Sequence, residues 1–363
     1  MTYQLAPSKT ATYSFFMSAH PSDQDFMRIA LEEARKSLGR TSPNPAVGAV
    51  LVVRNRIVAR GRHQRAGLPH AEIECLHQFG RTVPKDAILY VTLEPCSTVG
   101  RTAACTDQII GSGVRTVVIG ATDVNPVHKG RGVELLRNAG IEVRTNVLTD
   151  ECSALNEAFN KWIVTGEPFV IAKCGMSLDG RLVRPPSESR WITSAAARRH
   201  ARQVRAQVDA ILVGAETIRI DNPRLTVRGV SNPVQPFRVV VTRSGKLPRH
   251  AHIFTDRFSA KTLVYERKSL HSVLRDLGKR NVTSVLIEGG GNILGQALDQ
   301  RKINKVHLYL GPILTGGPVI AFAGRGADVP RHAAHLERTQ YQRLGHDLFV
   351  SGYPRDHGAS GNE

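Results

Sequence analysis

Four side chains could do chemistry together: His70 and Glu72 in Pro69-His70-Ala71-Glu72, Cys96 after Pro95, and Cys105. One imidazole and two thiolates suit a catalytic zinc whose fourth position is left to water. Glu72 follows His70 by two residues at an expected helix start, so it does not share the ligand vector and can face that water. Hydrolytic zinc deaminases use this set: the metal activates water against an amidine-like ring carbon, and the glutamate carries the protons. The nucleobase enzymes space their cysteines as P-C-x-x-C. Here eight residues, 97–104, intervene, and that loop must bulge beside the metal where it can touch substrate. Cys96 stands between a strand end and an expected helix start, a place that favours thiolate over thiol. Cys75, Cys152 and Cys174 lack such surroundings and read as small core residues.

A second set of residues lies in the other half of the chain. Lys173-Cys174-Gly175-Met176-Ser177-Leu178-Asp179-Gly180-Arg181 follows a strand and ends in a turn. Trp191-Ile192-Thr193-Ser194 opens a helix carrying Arg198, Arg199, Arg202 and Arg205. The first three arginines read as a solvated basic face. Arg205, followed by Val208, Ala210 and Ile211, reads as pointing inward. Residues 213–228 run from a strand into a loop. Glu288-Gly289-Gly290-Gly291-Asn292 joins a strand to a helix, where consecutive glycines let backbone approach a pyrophosphate. The pattern is not G-x-G-x-x-G and falls late in its domain, so it does not indicate a Rossmann fold.

The elements that must position these groups alternate. Ser22 caps a helix over 23–38 that Gly39 stops. Residues 47–53 and 57–59 read as a hairpin. Helices then fall at 70–79, 103–110 and 132–138, and strands at 87–93, 116–121 and 141–147. A connecting helix over 150–164 leads to the turn 165–168. Beyond it, strands fall at 169–173, 210–214, 238–242, 262–265, 284–287 and 306–310, with helices at 194–207 and 292–299. Such alternation specifies two α/β layered domains, at 23–166 and 167–355. Residues 1–22 form an extension and 356–363 a polar tail.

Composition narrows the partners. The 363 residues are 41% hydrophobic and 22% charged, a globular balance long enough for about two domains. No apolar run approaches the roughly 18 residues of a membrane span. Five cysteines are too few and uneven for a disulfide framework, and the N-terminus lacks a secretory pattern, so a reducing cytoplasm is expected. Lys and Arg number 49 against 31 Asp and Glu, and 49 − 31 gives +18. There is no aromatic-rich basic stripe and no basic tract, so a phosphorylated small molecule, not nucleic acid, is the expected partner.

Longer motifs carry a resemblance. Thr41-Ser42-Pro43-Asn44-Pro45-Ala46-Val47-Gly48-Ala49-Val50, the stretch from Gly61-Arg62-His63 to His70-Ala71-Glu72, Leu93-Glu94-Pro95-Cys96-Ser97 with Gly100-Arg101-Thr102, and Asp123-Val124-Asn125-Pro126 with Gly130-Arg131-Gly132 are the first group. Together with the second-half segments they make residues 23–350 resemble the bifunctional deaminase/reductase family of riboflavin biosynthesis. The resemblance implies a cytidine-deaminase-like three-layer α/β/α domain followed by a dihydrofolate-reductase-like α/β domain. It implies one zinc in the first, NADPH in the second, and a homo-oligomer. Asn44 and Asn125 would then bond the sugar or ring of a phosphoribosyl pyrimidine, with Arg101 near its phosphate. Gly175, Trp191, Thr217 and Asp221 would face the nicotinamide cofactor, as would Gly290, Gly291, Asn292, Ile293, Leu294 and Gly295. Ser189, Arg205, Leu225, Arg228 and Glu288 would hold the phosphosugar, with Lys173 near it. Arg205 and Arg228 suit a phosphate physically, as fixed, fully charged donors.

The implied activity is hydrolytic deamination of a diaminopyrimidinone ribosyl phosphate, then NADPH-dependent reduction of its ribosyl to ribityl. Thr98, where the family has His, and Ala103-Ala104, where it has two Pro, depart from the pattern. Alternatives are a reductase with a silent deaminase, a zinc deaminase of nucleic-acid bases, and a binding module with structural zinc.

Overall fold

The computed structural model describes residues 21–98, 104–182, 191–231 and 233–355. Helix α1 (Asp23–Arg35) starts at Ser22, which forms a reciprocal capping box with Asp25. The hairpin is β1 (Gly48–Val53) and β2 (Arg56–Arg62). Its turn residues Arg54 and Asn55 have φ of 49° and 60°, the left-handed pair that a two-residue turn between twisted strands demands. There follow α2 (Ala71–Phe79), β3 (Ala87–Leu93), α3 (Cys105–Ser112), β4 (Thr116–Ala121), α4 (Arg131–Asn138) and β5 (Glu142–Arg144). Helices α5 (Thr149–Leu155) and α6 (Glu157–Thr165) lead to the second half.

The first sheet runs β2-β1-β3-β4-β5. Neighbouring strand residues point to opposite faces, which assigns the layers. Gly48 faces α1, where an added Cβ would lie 2.0 Å from Ala30 O. Its neighbour Ala49 pairs with Gly61, whose Cβ would strike Ala71 and Cys75 of α2. Gly120 meets Cys152 of α5 and lies on the α1 side, because Ala49, Val91 and Ile119 share the α2 side. Helices therefore cover both faces: three layers.

The second half holds β6 (Phe169–Ser177), α7 (Ala195–Arg205), β7 (Ala210–Gly214), α8 (Ala215–Asp221), β8 (Phe237–Thr242), α9 (His252–Thr255) and β9 (Thr262–Glu266). It ends with α10 (Leu270–Lys279), β10 (Ser284–Ile287), α11 (Gly291–Asp299), β11 (Lys305–Gly311), β12 (Leu336–Leu344) and β13 (Asp347–Pro354). Its sheet runs β12-β13-β11-β6-β10-β7-β8-β9. From β11 to β9 every pairing is parallel, so six strands end on one edge. Ligands of open α/β sheets sit beyond that edge.

Several expectations need correction. The connecting helix is two helices: the backbone leaves the helical conformation at Asn156, φ −111°, whose side chain bonds both Ala46 N and Ala46 O, at 2.8 and 2.9 Å. Cys96 is a loop residue; Cys105 is the one that opens a helix, α3. The segment after β7, read as loop, contains α8. The β12–β13 hairpin was not foreseen: β12 is exposed along almost its whole length, so its sequence carries no burial period. The helix expected at 292–299 is α11, which starts one residue earlier with Gly290 as its N-cap.

Candidate active sites

The first site lies at the start of α2. His70 is the N-cap of that helix and Glu72 sits in its first turn, buried to 3% exposure. His70 Nδ1 is 3.1 Å from Cys105 Sγ and 3.6 Å from Cys96 Sγ. One ion bonded at about 2.0–2.3 Å spans such separations. Soft sulfur with imidazole is zinc's donor chemistry, so the residues fit the metal. Hydrogen bonding to Cys105, then to His70, pulls the Cys96 thiol well below its ordinary value, while Cys105 is pushed up. A divalent ion binds such cysteines as thiolates, displacing their protons. Burial raises the Glu72 carboxyl, against the pull of His70.

Two residues outside the expected set shape this pocket. His63, 2% exposed, receives the Asn44 side-chain amide at 3.2 Å on Nε2 and donates from Nδ1 to Pro69 O at 3.1 Å. Asn44 keeps Oδ1 and one N–H without a partner among the described residues, free for a ligand. Glu94, 4% exposed, accepts backbone N–H groups from Asp123, Gly130, Gly132 and Val133 at 3.0–3.3 Å. It ties the loop before α4 to the Cys96 segment. The Asn125 side chain accepts from Val127 N at 3.1 Å, so its oxygen already serves a turn. Arg101 lies outside the described residues.

The second site lies at the carboxyl ends of β6, β10 and β7. Arg205 grips Glu288 with two bonds, Nε–Oε1 at 2.5 Å and Nη2–Oε2 at 2.6 Å. Lys173 Nζ stands 4.0 Å from the same carboxylate. Burial would raise Glu288, but Arg205 and then Lys173 outweigh it and hold the carboxyl below its ordinary value. Gly175 is on the Lys173 side of β6, where a Cβ would lie 3.9 Å from Nζ. Thr217 Oγ1 is 3.8 Å from the position of a Gly290 Cβ, and Gly214 N donates to Gly289 O, so the β7 and β10 loops adjoin.

The expected cofactor residues divide. Leu294, 1% exposed, belongs to the core with Ile293. Gly291 and Gly295 are glycines because residues 320–324 cross them: Cβ atoms would come within 2.1 Å of Ile320 O and 2.4 Å of the Ala323 carbonyl carbon. These four do not present side chains to a ligand. Asn292 is exposed beside the α11 N-terminus. Trp191 is half exposed, with the Arg198 guanidinium 4.5 Å over its ring. Asp221 is exposed at the end of α8. Leu225 is buried with φ 49° and fixes the loop that carries Arg224 and Arg228. Burial, then the guanidiniums of Arg205, Arg224 and Arg202, lowers the proton affinity of Arg228. Arg202 therefore joins this basic cluster, which the reading as a solvated face missed. Ser189 lies outside the described residues.

A groove of about 920 Å³ lies away from both sites, between α5, α6, α11 and β13. Its lining mixes Asp150, Glu157 and Asp299 with Arg301, Arg325 and Arg338, so it has no dominant charge. Among the described residues no helix is long and apolar enough to cross a membrane.

Comparison with known proteins identifies both halves of the chain. Residues 20–121 match the cytidine and deoxycytidylate deaminase zinc-binding region, and residues 168–350 match the RibD C-terminal domain. The riboflavin biosynthesis protein RibD of Synechocystis is 38% identical over 356 residues, covering 92% of this chain and 96% of its own. That of Escherichia coli K12 is 37% identical, covering 81% and 89%. The solved structure of Acinetobacter baumannii RibD superposes with a TM-score of 0.84 at 32% identity, covering 92% and 99%. A Thermotoga maritima diaminohydroxyphosphoribosylaminopyrimidine deaminase/5-amino-6-(5-phosphoribosylamino)uracil reductase gives 0.83 at 35%, covering 92% and 99%.

Proposed function

The chain belongs to the RibD family of bifunctional riboflavin biosynthesis enzymes, and we propose that its two sites act in turn on one phosphoribosyl pyrimidine. The first step is hydrolytic deamination of 2,5-diamino-6-(5-phosphoribosylamino)pyrimidin-4(3H)-one. The second is reduction of the ribosyl of 5-amino-6-(5-phosphoribosylamino)uracil to ribityl. The observation that carries the reading is the convergence of His70, Cys96 and Cys105 beside the buried Glu72. Residues 23–166 form the deaminase and 167–355 the reductase, a division supported by the two separate sheets.

His70, Cys96 and Cys105 would hold the zinc, which when bound would lower the pKa of a water so that it ionises and becomes nucleophilic. The Glu72 carboxylate takes a proton from the attacking water and passes it to the departing amino group, which leaves as ammonia. Its burial suits the task, because a raised carboxyl holds a proton more readily than an exposed glutamate does. Asn44, set by His63, orients the pyrimidine. In the reductase the nicotinamide cofactor supplies the hydride that reduces C1′ of the ring-opened sugar. Arg205 and Arg228, with Arg202 and Arg224, hold the phosphate, and Glu288 sets Arg205.

NADPH is the cofactor on this reading. Basic side chains crowd the sheet edge beside the β7 and β10 loops: Arg243 and Lys246 follow β8, and Arg267 follows β9. Arg267 N bonds Thr242 O at 2.9 Å and Arg219 Nη2 bonds Lys246 O at 2.9 Å, which draws the loops together. Arginine suits a ribose 2′-phosphate because its planar, fully charged fork matches phosphate oxygens. Arg243→Ala should weaken NADPH binding about 10-fold, the loss of roughly 1.5 kcal/mol for a charge-assisted bond, and leave NADH binding unchanged. Titration of nicotinamide fluorescence reads both. Equal weakening of the two would remove Arg243 from the 2′-phosphate site.

The five free cysteines suit a cytoplasmic enzyme. The open edge of β12, with Tyr341 69% exposed, suits a homo-oligomer. The test of function is a paired assay on zinc-loaded protein given the diaminopyrimidinone ribosyl phosphate. Ammonia release followed by NADPH consumption is expected. NADPH consumption only with supplied deaminated intermediate would mean a reductase with a silent deaminase. Absence of both signals would refute the proposal.

A further inference from the structure

The loop that carries Asn44 is held from outside its own domain. Ser42 Oγ donates to Asp209 Oδ2 at 2.8 Å, across 167 residues of sequence. That carboxylate is a fixed anchor: it also accepts Thr283 N and Thr283 Oγ1 at 2.7 Å and Ser284 N at 3.2 Å, all at the base of β10. Three residues before Ser42, Gly39 lies against the C-terminal end of α7, where a Cβ would come 1.9 Å from Ala206 O. No other residue permits that approach. At the far end of the loop, Ala46 is bonded at both N and O by Asn156. Asn156 precedes α6, whose Trp162 Nε1 donates to Gly278 O at 3.0 Å in the second domain.

We infer that Asp209 of the reductase domain is a positioning residue for the deaminase: through Ser42 it fixes the loop 41–46, and with it the Asn44 amide that meets the pyrimidine. This rests on the deaminase reading of Asn44. Within its own domain, among the described residues, Asn44 N reaches Thr41 O in the same turn and its side chain reaches the buried His63, which orients the amide. The ends of the loop are tied by Asp209 on one side and Asn156 on the other. Asp209 stands four residues beyond Arg205 in the chain, but Arg205 is held separately, by Glu288.

The test is Ser42→Ala with Ser42→Thr as its restoring variant. Both are assayed in the full-length zinc-loaded enzyme for ammonia release, NADPH consumption from the deaminated intermediate, and thermal unfolding. Ser42→Ala should raise the deaminase KM about 10-fold with kcat within two-fold, as loss of one hydrogen bond to a carboxylate predicts. Reductase kinetics should not change, and Ser42→Thr should restore the KM. An unchanged deaminase KM in Ser42→Ala would overturn the inference. So would a deaminase loss that falls on kcat, tracks a lowered unfolding temperature, or persists in Ser42→Thr. A wild-type enzyme that releases no ammonia would instead remove the deaminase reading, and the inference with it.

Discussion

Ammonia release by Glu72→Gln is expected to fall about 10³-fold, the middle of the range for a positioned general acid–base group. Glutamine keeps the size and hydrogen-bonding shape of the buried side chain but cannot carry a proton. The variant therefore separates proton transfer from packing. Glu72 is not among the three converging donors, so zinc content measured by metal analysis should stay at one per chain. Reductase turnover of the deaminated intermediate should also persist, because the reacting groups of that half lie at the carboxyl ends of a different sheet. Ammonia release within ten-fold of wild type, with full zinc, would assign the proton transfers to another group. Loss of zinc in the variant would show that Glu72 supports the ligands instead. Cys105→Ser gives the contrasting pattern, with zinc and ammonia release lost together.

The cluster of His70, Cys96 and Cys105 beside Glu72 was legible because its geometry is local. A helix start fixes His70 and Glu72 two residues apart, and Cys96 and Cys105 flank a single loop. The alternation of strand and helix was legible because β1, β3, β4, β7 and β10 are buried and strongly apolar. What escaped depends on contacts between distant residues. Asn156, where the helix breaks, bonds Ala46, 110 residues earlier. Glu94 serves amides 29 to 39 residues away, and nothing in Leu93-Glu94-Pro95 announces four donors. Arg202 shares its helix face with Arg198 and Arg205, yet only the fold brings Arg224 and Arg228 opposite it. The glycines of α11 read as a phosphate cradle, but two of them exist to let residues 320–324 pass. The same residue type serves either purpose, and sequence alone does not separate them.

Arg205→Ala should cost about 3–5 kcal/mol of stability, because it leaves Glu288 as a buried carboxylate with weak compensation. Glu288 has a side-chain exposure of 7%, and its remaining cation, Lys173, is 4.0 Å away. The effect should depend on pH with a defined sign. In the wild type the Glu288 carboxyl lies below its ordinary value of 4.5, so the stability it contributes is present above 4.5 and fades as pH falls through the lowered value. In the variant burial dominates and the carboxyl rises above 4.5. The variant is then penalised at neutral pH, where the unfolded chain ionises freely, and the penalty vanishes as acid protonates the folded group. The gap between wild type and variant should therefore be widest near pH 7 and narrow towards pH 5, as read by denaturant unfolding at the two values. Arg205→Lys keeps the charge but not the paired bonds and should fall between them. A gap independent of pH would mean that Arg205 stabilises by packing, and the ion pair would lose its place as the organiser of the phosphate site.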